Sequence, residues 1–167
     1  MTSIKTTFIG YPTVGKSTLI SLLTGKIPDL KYNPTMLIDF ESIKIGNLTT
    51  LKIWDIGGQA SFEPYWEQFV EDAILNVVVT DSRPQNVLKT KMIIEKLKKV
   101  ASSRTIAIAN KQDIDGHIQA NRVENILGVT TYPMIGIEPR NREKLYYILI
   151  RELLISMGMD PDKEGGL

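Results

Sequence analysis

Gly10-Tyr11-Pro12-Thr13-Val14-Gly15-Lys16-Ser17 runs glycine, four residues, glycine, lysine and a hydroxyl, which is the full pattern of a phosphate-binding loop. Its context agrees. Ile4 to Ile9 reads as a strand that ends at Gly10, and Ser17 to Leu23 reads as a helix stopped by Gly25 and Pro28. Backbone N–H groups of such a loop wrap phosphates, and the helix N-terminus adds its positive end. Gly10 and Gly15 allow a close approach that a Cβ would obstruct. Tyr11, Pro12, Thr13 and Val14 supply the rest of the cradle, and Thr18 follows it. Lys16 is placed to reach β and γ phosphates, and Ser17 to offer its hydroxyl to Mg²⁺. A chance glycine turn is the competing reading, and the strand-to-helix context weighs against it. The motif specifies a nucleotide without saying which base.

Working outward, residues 37–45 and 48–54 read as two strands joined at Gly46-Asn47, a two-residue hairpin signal. Ile74 to Thr80, with three consecutive valines, and Thr105 to Ala109 are continuous apolar runs that suit strands buried on both faces. A helix is predicted over 85–101, with Leu88, Met92, Ile93 and Leu97 on one side. A shorter helix covers 119–127, Thr131 to Ile135 is the last strand, and a helix over 141–157 turns Leu145, Ile148, Leu149 and Leu153 to a core. This alternation predicts an α/β architecture: a doubly wound, mostly parallel six-stranded sheet with one antiparallel strand and helices on both faces. Residues 1–159 are expected to form one domain and 160–167 a frayed tail.

The base is read from Asn110-Lys111-Gln112-Asp113, directly after the strand 105–109. A carboxylate at Asp113 accepts two hydrogen bonds from the N1–H and exocyclic amine of guanine. Adenine has no N1 proton and leaves that carboxylate unpaired. Asn110 can brace the loop, and the Lys111 stem can lie along the base. A polar turn is the competing reading.

Two further stretches concern the phosphates. In Trp54-Asp55-Ile56-Gly57-Gly58-Gln59, Asp55 ends a strand and can hold Mg²⁺ through a water. The Gly58 N–H can meet a γ-phosphate, and Gln59 can orient an attacking water. In Asn33-Pro34-Thr35, the Thr35 hydroxyl can join Mg²⁺ when a γ-phosphate is present. Catalytic roles therefore fall to Gln59, Lys16 and Thr35, and metal ligation to Ser17, Thr35 and Asp55.

Composition narrows the class. At 43% hydrophobic and 23% charged, the 167 residues read as a soluble globular protein. A net charge of +1 gives no pull toward nucleic acid. Without cysteine there is no disulfide or thiolate metal site, which fits a cytoplasmic location. There is no membrane-spanning run, no signal peptide, no glycine at position 2 to myristoylate and no cysteine to prenylate, so no intrinsic membrane anchor is expected. A monomer is expected. Lys89, Lys91, Lys96, Lys98 and Lys99 make one helix basic, either a solvated face or a contact for acidic lipid or an acidic partner. The single histidine, His117, reads as a loop residue. Phe40, Trp54, Trp66 and Phe69 gather near the two loops, as core or as a recognition surface.

Together Gly10 to Ser17, Thr35, Trp54 to Gln59 and Asn110 to Asp113 resemble a small GTPase of the Ras superfamily with the P-loop NTPase fold. The tryptophan before Asp55, the paired glycines and Ser61-Phe62-Glu63-Pro64-Tyr65-Trp66 resemble the Arf and Arf-like branch most, over residues 4–157. The resemblance implies GTP or GDP with Mg²⁺, a switch between two states, and an exchange factor, an activating protein and effectors that meet residues around Thr35, Phe40, Trp54, Gln59, Trp66 and Phe69.

The chain departs from that pattern. It starts almost directly with the first strand, where Arf proteins carry an amphipathic helix, so the membrane-coupled switch of that branch is not expected. Pro12 removes one N–H from the cradle. The loop that meets guanine O6 in the family aligns with Ile135-Gly136-Ile137, where the Gly136 N–H can still serve. No arginine is placed as a catalytic finger, which implies slow intrinsic hydrolysis and help from an activating protein. The competing functions are a non-cycling pseudo-GTPase and a P-loop kinase or ATPase, the latter opposed by Asp113.

Overall fold

The computed structural model describes residues 2–28, 31 and 34–162. Asn33 and residues 163–167 of the expected tail lie outside them. The elements are β1 (Thr2–Ile9), α1 (Lys16–Thr24), β2 (Ile38–Ile45), β3 (Thr49–Ile56), α2 (Trp66–Val70), β4 (Leu75–Thr80), α3 (Pro84–Val100), β5 (Arg104–Ala109), α4 (Ala120–Leu127), β6 (Thr131–Pro133) and α5 (Arg142–Ser156). One six-stranded sheet runs β2-β3-β1-β4-β5-β6. The β2–β3 pair is antiparallel and the others are parallel, which is the expected doubly wound arrangement.

The central strands show why their sequences are apolar without a break. Along β4, Val77 and Val79 point into one core and Val78 into the other; along β5, Ile106 and Ile108 oppose Ala107 and Ala109 in the same way. A strand's period of two sends successive side chains to opposite faces, so a strand covered on both sides must be apolar throughout. α1 and α5 cover the first face with Leu19, Leu23, Leu145, Leu149 and Leu153. α2, α3 and α4 cover the second with Trp66, Val70, Ile94, Leu97, Val123 and Leu127.

Several boundaries differ from the sequence reading. The β2–β3 turn has three residues, Gly46 to Leu48, closed by the Ile45–Thr49 pair, with Gly46 at φ +59°. β6 stops at Pro133, whose missing N–H is tolerated on this edge strand, and the Met134 N–H still donates to the Ala109 carbonyl at 2.9 Å. On α3 the inward residues are Val87, Thr90, Ile93, Ile94 and Leu97, whereas Leu88 and Met92 are exposed. Thr90 is tolerated inside because its hydroxyl donates to the Asn86 carbonyl one turn back at 2.7 Å. Ala60–Tyr65, unassigned from sequence, forms a 3₁₀ helix that runs into α2.

Candidate functional site

The phosphate loop leaves β1 at its carboxyl end, where the chain runs to β3 on one side and β4 on the other. In open α/β sheets that reversal leaves a crevice. Here a cleft of about 310 Å³ is lined by Pro12, Thr13, Gly15, Lys16, Ser17, Thr18, Lys31, Pro34, Thr35, Gly58, Gln59, Lys111 and Ile137. Eleven of these thirteen are site residues that the sequence reading names. Lys31 and Pro34 are not among them, because nothing local marks a residue that reaches a cleft only through folding.

Two of the loop's glycines are required sterically. A Cβ on Gly10 would sit 2.4 Å from the Val79 carbonyl oxygen. Gly15 has φ +99°, and a Cβ there would come within 2.3 Å of Asn110 Nδ2. Lys16 is buried, and its ammonium donates to the carbonyls of Gly10 at 3.0 Å and Tyr11 at 3.2 Å, spanning the loop. Burial lowers its pKa, and the charge of Asp55 opposes that shift. Val14 is fully buried in the core and Tyr11 turns away from the cleft, so both contribute only backbone to it.

Ser17, Thr35 and Asp55 come from three separate segments and converge. The Ser17 hydroxyl donates to Asp55 Oδ2, and the Thr35 hydroxyl donates to the same oxygen at 3.3 Å. The two hydroxyl oxygens are 3.2 Å apart. Asp55 Oδ1 is buried without a hydrogen-bond partner among the described residues. Burial raises the Asp55 pKa, against the hydrogen bonds from Ser17 and Thr35 and the charge of Lys16, while Asp39 adds to the rise. An orphaned buried carboxylate oxygen beside two hydroxyls is an all-oxygen donor set, which suits a hard divalent cation such as Mg²⁺. One carboxylate leaves most of the coordination to water and substrate phosphate, as Mg²⁺ sites usually do.

Gly58 lies directly on the phosphate loop: a Cβ there would stand 2.1 Å from the Gly10 carbonyl oxygen and 2.8 Å from Pro12 N. The N–H of Gly57 donates to the Leu37 carbonyl at 3.0 Å, and its carbonyl accepts the Trp66 indole N–H at 3.1 Å. Gln59 follows at the cleft edge, half-buried.

The 110–113 segment is joined to the phosphate loop by side chains. Asn110 Nδ2 donates to the Val14 carbonyl at 3.0 Å, and Lys111 Nζ donates to the Thr13 carbonyl at 2.6 Å. Thr13 and Lys111 both have positive φ, +66° and +59°. Such conformations in residues other than glycine persist only where surrounding contacts over-determine them. Ser82, also unflagged by sequence, donates to the Asn110 carbonyl, and Gln112 Nε2 donates to Ser82 Oγ at 2.7 Å. Asp113 is exposed on this loop, open to a ligand. The N–H of Gly136 is donated to Asn110 Oδ1 at 2.9 Å, which takes it away from the role of meeting a base. Ile137 reaches the cleft, and the Ile135 carbonyl accepts from Asn141 Nδ2 at 3.0 Å.

Of the aromatic residues expected to form a partner surface, Phe40 is exposed and Trp54 and Phe69 are half-buried, with centroids 5.0 Å apart for Phe40–Trp54 and 6.2 Å for Trp54–Phe69. Trp66 is only 3% exposed and belongs to the core. His117 Nδ1 donates to the Ile114 carbonyl, 2.7 Å away within its own loop. No described helix is long and apolar enough to cross a membrane.

Comparison with known proteins places these motifs in a lineage. The sequence model of the ADP-ribosylation factor family matches residues 1–157. ADP-ribosylation factor-like protein 2 of Drosophila melanogaster is 27% identical over 146 residues, 82% of this chain and 78% of that protein. ADP-ribosylation factor-like protein 2 of Arabidopsis thaliana is 31% identical over 125 residues, covering 72% and 66%. ADP-ribosylation factor-like protein 1 of Saccharomyces cerevisiae is 29% identical, covering 72% and 67%.

Proposed function

Because this chain belongs to the ADP-ribosylation factor family and is thus a GTP-binding small GTPase of the Arf-like kind, we propose that it is a switch that binds GTP with Mg²⁺, hydrolyses it slowly and engages partners in one nucleotide state. The observation that carries this reading is the convergence of Ser17, Thr35 and Asp55 near Lys16, at a cleft that Lys111 also lines.

Each residue then has a task. Asp113 accepts from the guanine edge, and Lys111 lies along the base. The backbone of Gly10 to Ser17 holds the phosphates, with Lys16 neutralising the β and γ groups. Ser17 and Thr35 offer hydroxyls, and Asp55 a carboxylate, to the cation. Mg²⁺ supplies electrostatic stabilisation of the transferring phosphoryl group. Gln59 orients the attacking water, and Gly58 donates its N–H to the γ-phosphate. Thr35 reaches the site only through its loop, so losing the γ-phosphate releases the segment that leads into β2. No arginine lines the cleft among the described residues. Intrinsic turnover is then on the order of 10⁻⁴ to 10⁻³ per second, the range of GTPases that lack a finger, and an activating protein supplies the missing charge.

The second reading, a nucleotide-bound module that does not cycle, draws on Pro12, which has no N–H, and on Gly136, whose N–H is committed to Asn110. Phosphate release under single-turnover conditions separates the two. Slow release by the parent and its loss in Gln59→Leu supports the switch. No release beyond buffer, with nucleotide bound, supports the module.

A further inference from the structure

The Tyr11 side chain points away from the cleft into the boundary between the two cores, where it packs against both. Its ring meets Trp66 edge-on, at 6.2 Å between centroids and 69° between planes. Trp66 fixes the Gly57 carbonyl through its indole N–H. It also opens α2, whose next turn carries Phe69, and Phe69 lies 6.2 Å from Trp54, which in turn meets Phe40 at 5.0 Å. An aromatic row thus runs from the phosphate loop to the exposed Phe40. Its middle link is the five-residue helix α2.

Two attachments hold the 57–66 segment on the phosphate loop: the Gly58 backbone, which lies on Gly10 and Pro12, and the Tyr11–Trp66 pair. The first carries the group proposed to meet the γ-phosphate. The second carries α2. We infer that Tyr11 is a positioning residue that couples the nucleotide state of the phosphate loop to the Phe40–Trp54–Phe69 surface through α2. A shift of Gly58 on gain or loss of the γ-phosphate drags Gly57, whose carbonyl is tied to Trp66. Tyr11 gives Trp66 a fixed abutment on the loop, so the shift rotates α2 about that contact rather than dissipating in side-chain slack. The ring, not the hydroxyl, does this, because no hydrogen bond from the Tyr11 hydroxyl is needed for the stacking. This inference rests on the switch reading.

The test keeps both tryptophans, labels the protein with 5-fluorotryptophan and compares the Trp54 ¹⁹F resonance, assigned by its loss in Trp54→Phe, with GDP and with a non-hydrolysable GTP analogue. Binding is followed separately by a fluorescent nucleotide. With Tyr11 present, the Trp54 resonance differs between the two nucleotides. Tyr11→Leu reduces that difference by roughly threefold or more, and Tyr11→Phe restores it. A Leu variant that binds both nucleotides and keeps the full difference overturns the role of Tyr11 alone. Failure of the parent to bind either nucleotide overturns the switch reading and this inference with it. A second measurement uses the natural Trp66: in a double-mutant cycle of Tyr11→Leu and Trp66→Leu, single-turnover losses that are less than additive support coupling, and fully additive losses overturn it.

Discussion

The side-chain amide of Asn110 donates to the carbonyl of Val14 at 3.0 Å, across 96 positions of sequence. With its oxygen it also holds the Gly136 N–H, so one buried amide ties three loops around the cleft. Replacing Asn110 with Ala leaves a buried carbonyl and a buried N–H without partners, at about 1–3 kcal/mol each. GDP and GTP affinity should fall together, by roughly ten- to a hundredfold. Isothermal titration with both nucleotides checks this, and a loss confined to GTP contradicts the bracing role.

Base selectivity should follow Asp113. The Asp113→Asn variant presents an amide donor where the parent presents two acceptors, which suits the 2-oxo group of xanthine. Competition among GTP, XTP and ATP should then show preference moving from GTP to XTP. Unchanged preference for GTP would remove Asp113 from the site.

The cation ligands should separate the two nucleotides. Ser17→Asn is expected to weaken GTP binding more than GDP binding, because Ser17 and Thr35 share Asp55 Oδ2 and Thr35 reaches the cation only with the γ-phosphate present. Chelation of Mg²⁺ in the parent should reproduce that pattern. Equal losses for both nucleotides count against it.

Gly58 has no room for a methyl group, since a Cβ would overlap the Gly10 carbonyl at 2.1 Å. Gly58→Ala must lift the segment that bears Gln59. Displacement of a reacting geometry by about 1 Å costs up to ~10²-fold in rate. Single-turnover hydrolysis should therefore drop by one to two orders of magnitude while GDP affinity, which does not use the Gly58 N–H, holds. Hydrolysis at the parent rate would show that this contact is not part of the catalytic geometry.

Tyr132, on β6, donates to Glu152, which is buried and also paired with Arg104. Burial, followed by the hydrogen bond and charge of Glu152, pushes the Tyr132 pKa up to about 12 from an ordinary 10.0. A raised folded pKa means that the neutral phenol is favoured on folding. Its stabilisation is complete below the unfolded value and is lost as pH rises from 10.0 toward about 12. The Tm of the parent should fall more steeply over that interval than the Tm of Tyr132→Phe, and parallel curves would refute the coupling.

Local chemistry alone determined the strand–loop–helix unit around Gly10 to Ser17 and the buried runs of β4 and β5. Phosphate cradles need glycine at fixed spacing, and a doubly covered strand must be apolar at every position, so both are written in adjacent residues. The outward turn of Leu88 and Met92 was not legible, because a helix's periodicity gives the spacing of a face but not which of two overlapping faces a neighbour covers. The commitment of the Gly136 N–H to Asn110, the arrival of Lys31 at the cleft and the burial of Trp66 beneath Tyr11 were not legible either. Each depends on a contact between segments that are distant in sequence. Only the packed sheet, by bringing the carboxyl ends of β1, β4 and β5 to one edge, decides which backbone groups remain free for a ligand and which are spent on one another.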